Sequence, residues 1–218
     1  MARIFDPENG FFQWIGSLTD LLMLSAAWVV CSLPVVTVGP ATAALYYGVV
    51  KCVRRKEPRA LACFWGAFKG NLKTGALLSL MAVPLTALLL WGLWVLRMMA
   101  VQGGAGYQGV WMAYTLALVV PLGVIAWVFP LISRFESGLA QALSTAFRLS
   151  LGHLPSTAWA VLVGAILAEA TVRFWYLPLW ALTPGVWALL ASFPMERVFR
   201  RYTPGAGEGG DEGPWYLK

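Results

Sequence analysis

Two charged side chains lie four residues apart in an apolar segment of the second half of the chain. Glu169 and Arg173 belong to AILAEATVRFW, and a spacing of four brings such side chains together on one face of a helix. Ionisable groups within membrane segments are costly and often functional. This polar membrane pair is therefore a candidate contact for a ligand or another subunit. The alternative is an ion pair at the membrane interface, because both residues approach the outer end of their predicted helix.

Residue types that perform catalysis are sparse. The single histidine, His153, has no cysteine or clustered carboxylates beside it and cannot form a metal site by itself. The three cysteines form no CxxC pair, and neither GxSxG nor HExxH occurs. The glycines of GGAGYQG, residues 103–109, are not followed by the GK[ST] of a phosphate loop. The sequence therefore predicts a protein that is not an enzyme and uses no cofactor.

The elements that carry these residues are predicted to cross a membrane. Of the 218 residues, 59% are hydrophobic and only 12% are charged, whereas a soluble domain averages about 25% charged residues. Apolar stretches run through residues 20–33, 41–53, 74–99, 109–132, 156–172 and 177–194. If the first span starts in the cytoplasm, only Arg97 and Arg173 of the 16 Lys and Arg residues lie outside, as the positive-inside rule requires.

The sequence thus predicts an all-α, polytopic transmembrane helical bundle of six spans. Both termini are expected in the cytoplasm. Residues 1–202 are expected to form a single transmembrane domain, and the Gly-rich acidic tail, 203–218, is expected to be disordered. The basic residues behind the net charge of +6 cluster at the predicted membrane boundaries. The lipid bilayer is therefore the expected partner, and nucleic acid is not.

A hairpin turn is expected between the first two spans. Pro34, Gly39 and Pro40 interrupt the segment LPVVTVGP, and these residue types break helices and favour turns. The next apolar stretch, 41–53, is short for a span. A re-entrant hairpin and a tilted short helix therefore stay open as alternatives to a crossing. A five-span topology would place the amino terminus outside and leave the later elements unchanged.

Two amphipathic segments between spans are expected to form cytosolic elbow helices. In the first, Phe64 and Phe68 share one helical face, with Lys69 at the opposite edge. In the second, Phe147 precedes Arg148 and belongs to an apolar stripe at four-residue spacing that also includes Leu139, Leu143 and Leu151. Such helices rest on the inner leaflet or present the stripe to a partner protein. Both interpretations stay open for these elbows.

A possible internal repeat links the two elbows. Residues 45–78 can be laid over 124–157 without a gap, at an offset of 79 residues. The superposition matches Arg55 with Arg134, Ala67 with Ala146, Phe68 with Phe147, Lys69 with Arg148 and Leu72 with Leu151. Both copies have the same predicted orientation, so the repeat would be parallel. Internal homology and generic topology both account for these matches.

Several of these motifs are similar to those of one family. The resemblance is to the YesL-like family of bacterial integral membrane proteins (domain of unknown function 624), and it runs from about Phe5 to Arg197. It is carried by LPVVTVGPATAALYY, which is the most specific block, by FWGAFKGNLKTG and by RFESGLAQALSTAFRLSLGHLPSTA. The resemblance implies a fold and a setting in the bacterial cytoplasmic (inner) membrane, but no established activity. Family members are commonly encoded beside carbohydrate importers, sugar-binding lipoproteins and polysaccharide-degrading enzymes.

The leading hypothesis is a non-enzymatic membrane protein of carbohydrate uptake. It would be an accessory or assembly subunit of an ABC-type sugar or oligosaccharide importer, with the permease and ATPase subunits as partners. A homo-oligomer is also compatible with the sequence. The alternative is a stand-alone transporter that moves a sugar or related small molecule through the bundle. The likeness of the elbows to the ATPase-docking loops of ABC permeases is an analogy of architecture.

Overall fold

The computed structural model describes residues 10–103, 105–135, 138–174 and 181–202, and this part of the chain is helical, without a strand. The tail at 203–218 lies outside the described residues. A 3-10 turn, Val35–Thr37, precedes the second helix, and a π-helical segment, Val49–Arg54, continues it. The helices are α1 (Gly10–Cys31), α2 (Val38–Gly48), α3 (Ala60–Gly70), α4 (Leu72–Gln102), α5 (Ala105–Ala117), α6 (Val119–Arg134), α7 (Leu139–Gly152), α8 (Leu154–Arg173) and α9 (Thr183–Tyr202).

Four helical segments of the described chain are long and apolar enough to cross a membrane. They are Val35–Arg54, Leu72–Gln102, Gly106–Arg134 and Leu154–Arg173. The second predicted span reaches this length because the 3-10 turn and the π-helical segment extend α2 at both ends. The all-α class is confirmed, and these helices are compatible with a membrane protein.

The first and last of the six expected spans stay predictions. The apolar helix at the first position, Ile15–Cys31, is shorter than the four membrane-length segments. The last expected span, 177–194, begins among residues outside the described ranges. Its remainder belongs to α9, which ends in the charged sequence ERVFRRY.

Helix α2 is the central element, because α1, α3, α4, α6 and α9 all pack against it. Small residues make up much of its buried surface, including Gly39, Ala41, Ala43, Ala44 and Gly48, and small residues let neighbouring helices approach closely. Two apolar clusters meet on α2. One includes Trp127, Met195 and Phe199, and the other includes Leu24, Val49 and Phe64.

Helices α2 and α6 end on the same side of the molecule. Three side chains near both ends reach the stretch of α9 between Ser192 and Glu196, namely Tyr46 from α2, Arg54 from the π-helical segment that continues α2, and Arg134 from α6. Since α3 follows α2 and α7 follows α6, both short helices lie at this end, here called the basic end. Helices α3 and α7 occupy the positions of the expected elbows, and their location at the cytosolic surface stays a prediction.

In each of the units α2–α3–α4 and α6–α7–α8, a short helix lies between two helices that belong to membrane-length segments. The starts of α3 and α7 are 79 residues apart, which is the offset of the sequence superposition. The starts of α4 and α8 are 82 residues apart, because α7 has 14 residues and α3 has 11. The gapless superposition therefore aligns the starts of the short helices α3 and α7, but it no longer aligns the starts of α4 and α8.

Candidate functional site

A buried ion pair lies at the centre of the basic end. The Arg134 guanidinium on α6 donates to Oε2 of Glu196 on α9, and the Tyr46 hydroxyl on α2 donates to Oε1 of the same carboxylate at 3.0 Å. Arg134 is 7% exposed and Glu196 is 4% exposed. One carboxylate thus links three helices through both of its oxygens.

Further cationic side chains surround this pair. The Arg54 Nη1 group donates to the Ser192 carbonyl and hydroxyl oxygens at 3.1 Å and 3.3 Å. The Arg134 guanidinium lies 4.8 Å from the centre of the Phe199 ring, a distance suited to a cation–π contact. Burial lowers the pKa of Arg55, and repulsion from Arg134 lowers it further, while the charge of Glu196 opposes both effects. The basic end therefore gathers more positive than negative charge around a single buried carboxylate.

Sequence reasoning missed Tyr46, Arg134 and Glu196 as a group. A usable signal was present in α9, where the buried positions recur at helical spacing: Ala188, Ala191, Ser192, Met195, Glu196 and Phe199. A carboxylate on such a stripe faces the core and needs a partner there. The identity of that partner is not visible in the sequence, because Arg134 lies 62 residues away.

The residues expected to define the hairpin separate into two places. Pro34 precedes the 3-10 turn and marks the bend after α1. Gly39 and Pro40 lie instead in the first turn of α2 and are buried, which corrects the expectation that they form the turn. Proline is tolerated there because the first backbone N–H groups of a helix lack intrahelical acceptors.

The first short helix turns its predicted aromatic face inward. Phe64 is fully buried and Phe68 nearly so, and the two rings stack at 6.1 Å within the cluster formed with α1 and α2. Neither ring is available at the surface for a partner, which corrects their assignment to a docking face. Lys69 is exposed, and the large apolar residues that α3 does expose are Leu61 and Trp65.

The second short helix has the opposite arrangement. Its buried residues are small or polar for the most part, namely Ala142, Ala146, Leu149 and Ser150. Phe147 is 51% exposed, Leu151 is 44% exposed and Arg148 is exposed. The predicted elbow residues Phe147 and Arg148 are thus at the surface of α7.

Glu169 and Arg173 lie near the end of α8. The distance from Arg173 Nε to Glu169 Oε1 is 3.8 Å, and the side chains are 77% and 66% exposed, respectively. The structure therefore brings the predicted pair together on the surface of the bundle. Its side chains are largely exposed, whereas those of Arg134 and Glu196 are buried.

A cleft of about 950 Å³ lies beside the buried ion pair. Helix α7 contributes Gln141, Thr145 and Arg148 to its lining, and these positions recur at i, i+4 and i+7 on one helical face. Arg134 also lines the cleft. The aromatic part of the cleft lining comes from Phe135, Phe199 and Tyr202.

Metal-binding residue types are not clustered in the described ranges, where no three His, Cys, Asp or Glu side chains come together in a way that could hold an ion. Cys31, Cys52 and Cys63 are free thiols. The cleft at the basic end can therefore bind a ligand through guanidinium groups, hydroxyl groups and aromatic rings.

Residues 21–93 match a known family model. That model is the one for DUF624. It is described as a protein of unknown function, so the match adds no activity. The DUF624 region runs from α1 into α4 and includes Tyr46, whereas Arg134 and Glu196 lie beyond it. The match agrees over this stretch with the family that the sequence resembles, and the YesL-like name stays a prediction. No curated protein and no solved structure matches the chain.

Proposed function

We propose that this protein is a non-enzymatic subunit of a bacterial carbohydrate importer, an accessory or assembly component that docks its partner through the basic end. The observation that carries the proposal is the outer face of α7. Phe147 and Leu151 are large apolar side chains four residues apart and half exposed, and Arg148 is exposed beside them. An apolar helical stripe with an adjoining cation fits a groove in a partner protein.

The position of α3 supports the same function. Helix α3 lies at the same end of the bundle and exposes Leu61, Trp65 and Lys69. Two short helices at one end, each with exposed apolar and basic residues, form a surface that an ATPase or permease subunit can contact. The importer setting comes from the family that the sequence resembles, whose members are commonly encoded beside carbohydrate importers.

The proposal is tested by purifying the tagged full-length protein from its native host in mild detergent and identifying partners by mass spectrometry. We expect permease and ATPase subunits with the wild-type protein and with Val172→Ser, a matched change of an exposed residue at the end of α8. We expect their loss with Phe147→Ser and with Leu151→Ser. Equal recovery with all four proteins would place the docking surface elsewhere, and absence of importer subunits from the wild-type sample would reject the function.

Stand-alone transport of a sugar or related small molecule is the second candidate. The observation that favours it is the pair of similarly ordered units, α2–α3–α4 and α6–α7–α8, because structural repeats are common in secondary transporters. Uptake of a radiolabelled sugar by proteoliposomes that contain this protein alone would support it. Uptake equal to that of protein-free liposomes, across the sugars on which the host grows, would reject it.

A further inference from the structure

We propose that the cleft between α6, α7 and α9 binds a phosphate group carried by an amphiphilic or sugar-like molecule. The cleft has a volume of about 950 Å³, which lies at the upper end of the range of about 300–1,000 Å³ for small-molecule sites. It is large enough for a charged head and an attached apolar or ring-shaped body.

The charge of the lining favours an anion. Arg134 and Arg148 both contribute to the cleft, and no carboxylate occurs among the described residues that line it. The carboxylate of Glu196 offsets the positive charge of Arg134 through the buried ion pair. Arg148 has an exposed side chain and is therefore the main cation offered to a ligand.

The lining also has the hydrogen-bond donors that a phosphate needs. Gln141, Thr145 and Arg148 share one face of α7, and Tyr202 adds a phenolic hydroxyl from α9. A guanidinium can donate two parallel hydrogen bonds to a phosphate, and amide and hydroxyl groups can satisfy its other oxygens. This combination fits a tetrahedral oxyanion better than a neutral polar ligand.

The rest of the lining fits an apolar or ring-shaped body. Phe135, Phe199 and Tyr202 place aromatic rings in the cleft, and Leu131 and Leu149 add aliphatic surface. Two sources supply a phosphate attached to such a body, namely an anionic phospholipid of the adjoining leaflet and a soluble sugar phosphate. Basic pockets at the cytoplasmic ends of membrane helices are suited to lipid head groups.

The test is isothermal titration calorimetry on the full-length protein in an uncharged maltoside detergent. One arm compares dihexanoyl phosphatidylglycerol with dihexanoyl glycerol, which lacks the phosphate. The other compares glucose 6-phosphate with glucose. We expect one phosphate-bearing probe to bind and its phosphate-free counterpart not to bind, and the arm that responds identifies the source.

The variants test the assignment to the cleft. Arg148→Gln should weaken binding of the responding probe by about tenfold or more, because a charge-assisted hydrogen bond is lost. Arg148→Lys should recover part of the affinity, since it keeps the charge but loses the planar fork. The matched control, Arg173→Gln, removes an exposed cation of α8 and should change the affinity by less than about twofold.

Three outcomes would overturn the proposal. They are no binding of either phosphate-bearing probe, equal binding of a probe and its phosphate-free counterpart, and equal weakening by Arg148→Gln and Arg173→Gln. Because Arg148 and Arg173 are both exposed, neither variant is expected to unfold the protein, and a thermal melt of each confirms this.

Discussion

At the scale of single residues, Glu196 determines how the basic end is held together. Its carboxylate accepts from Arg134 and Tyr46, which come from two other helices. A buried ion pair contributes little net stability compared with apolar residues of the same volume, but removal of one partner leaves a buried charge without compensation. The pair therefore joins α2, α6 and α9 at this end, and loss of one partner is costly.

The first prediction concerns this carboxylate. Glu196→Gln keeps the shape of the side chain and removes the counter-charge of Arg134. We expect a loss of about 3 kcal/mol or more in the free energy of unfolding, the usual cost of breaking a buried pair. The measurement is thermal denaturation of the purified protein in mild detergent, with a marked fall in Tm as the expected result.

Two variants serve as controls for this prediction. Glu169→Gln breaks the exposed pair with Arg173, and such surface pairs contribute about 0–1 kcal/mol. The double variant Arg134→Leu, Glu196→Leu removes both buried charges and should recover much of the stability lost by Glu196→Gln. If Glu196→Gln melts like Glu169→Gln, the buried pair does not hold the helices together.

At the scale of helices, the crossing of α2 and α4 depends on residues without side-chain bulk. The Gly39 amide donates to the Ser79 hydroxyl at 2.6 Å. A Cβ atom at Gly39 would clash with the Gly75 carbonyl oxygen, and one at Gly75 would lie 2.8 Å from the Pro40 nitrogen. The two backbones are therefore nearly in contact, as in the small-residue packing of membrane helices.

The second prediction compares two glycine-to-alanine changes. Gly39→Ala forces α2 and α4 apart and should cost about 1–3 kcal/mol, as overpacking of a close contact does. Gly66→Ala on α3 has open space around the added methyl group and should be neutral or stabilise the helix by up to about 1 kcal/mol. Tm values of both variants in the same detergent test this order. An equal change in the two would mean that the crossing tolerates a methyl group.

The helices themselves were largely predictable from the sequence, but the faces they bury were not. Runs of apolar residues locate α4, α6 and α8 because length and hydropathy are local properties. Phe68 and Phe147 occupy matching positions in the sequence superposition, yet Phe68 is buried and Phe147 is exposed. The difference arises because α3 packs against α1 and α2, whereas α7 buries its alanines.

The candidate site was less predictable than the fold. Tyr46 and Glu196 are separated by 150 residues, and no periodicity within one segment reveals a contact of that range. Gly39 and Pro40 were misplaced for a different reason. Both residue types favour turns, but the beginning of a helix also accepts them, and the packing against Gly75 decides between the two locations.

At the scale of the whole molecule, the distribution of charge sets the expected orientation in the membrane. The ends of α2 and α6 and the short helices α3 and α7 lie together with most of the lysines and arginines. Helices α4 and α8 run away from this end, and α4 carries Trp91 and Trp94, whose ring centres are 5.4 Å apart. Cationic residues favour the cytoplasmic side and tryptophan favours both interfaces.

The third prediction tests this orientation by cysteine labelling in intact cells. Single cysteines are introduced at Gly66 on α3, Gly152 on α7 and Gly106 on α5 after replacement of Cys31, Cys52 and Cys63 by alanine. All three glycines have open space for a side chain. A membrane-impermeant maleimide should label Gly106→Cys in intact cells and the other two only after permeabilisation. The reverse pattern would invert the predicted topology.

The ion pair of Arg134 and Glu196 also has a consequence for the order in which the protein is made. Glu196 follows Arg134 by 62 residues and Tyr46 by 150, so the ribosome makes both donors well before their shared acceptor. A nascent chain that stops short of α9 carries Arg134 and Tyr46 without the Glu196 carboxylate. The contact that joins α2, α6 and α9 can therefore form only late in synthesis, after α9 has been made.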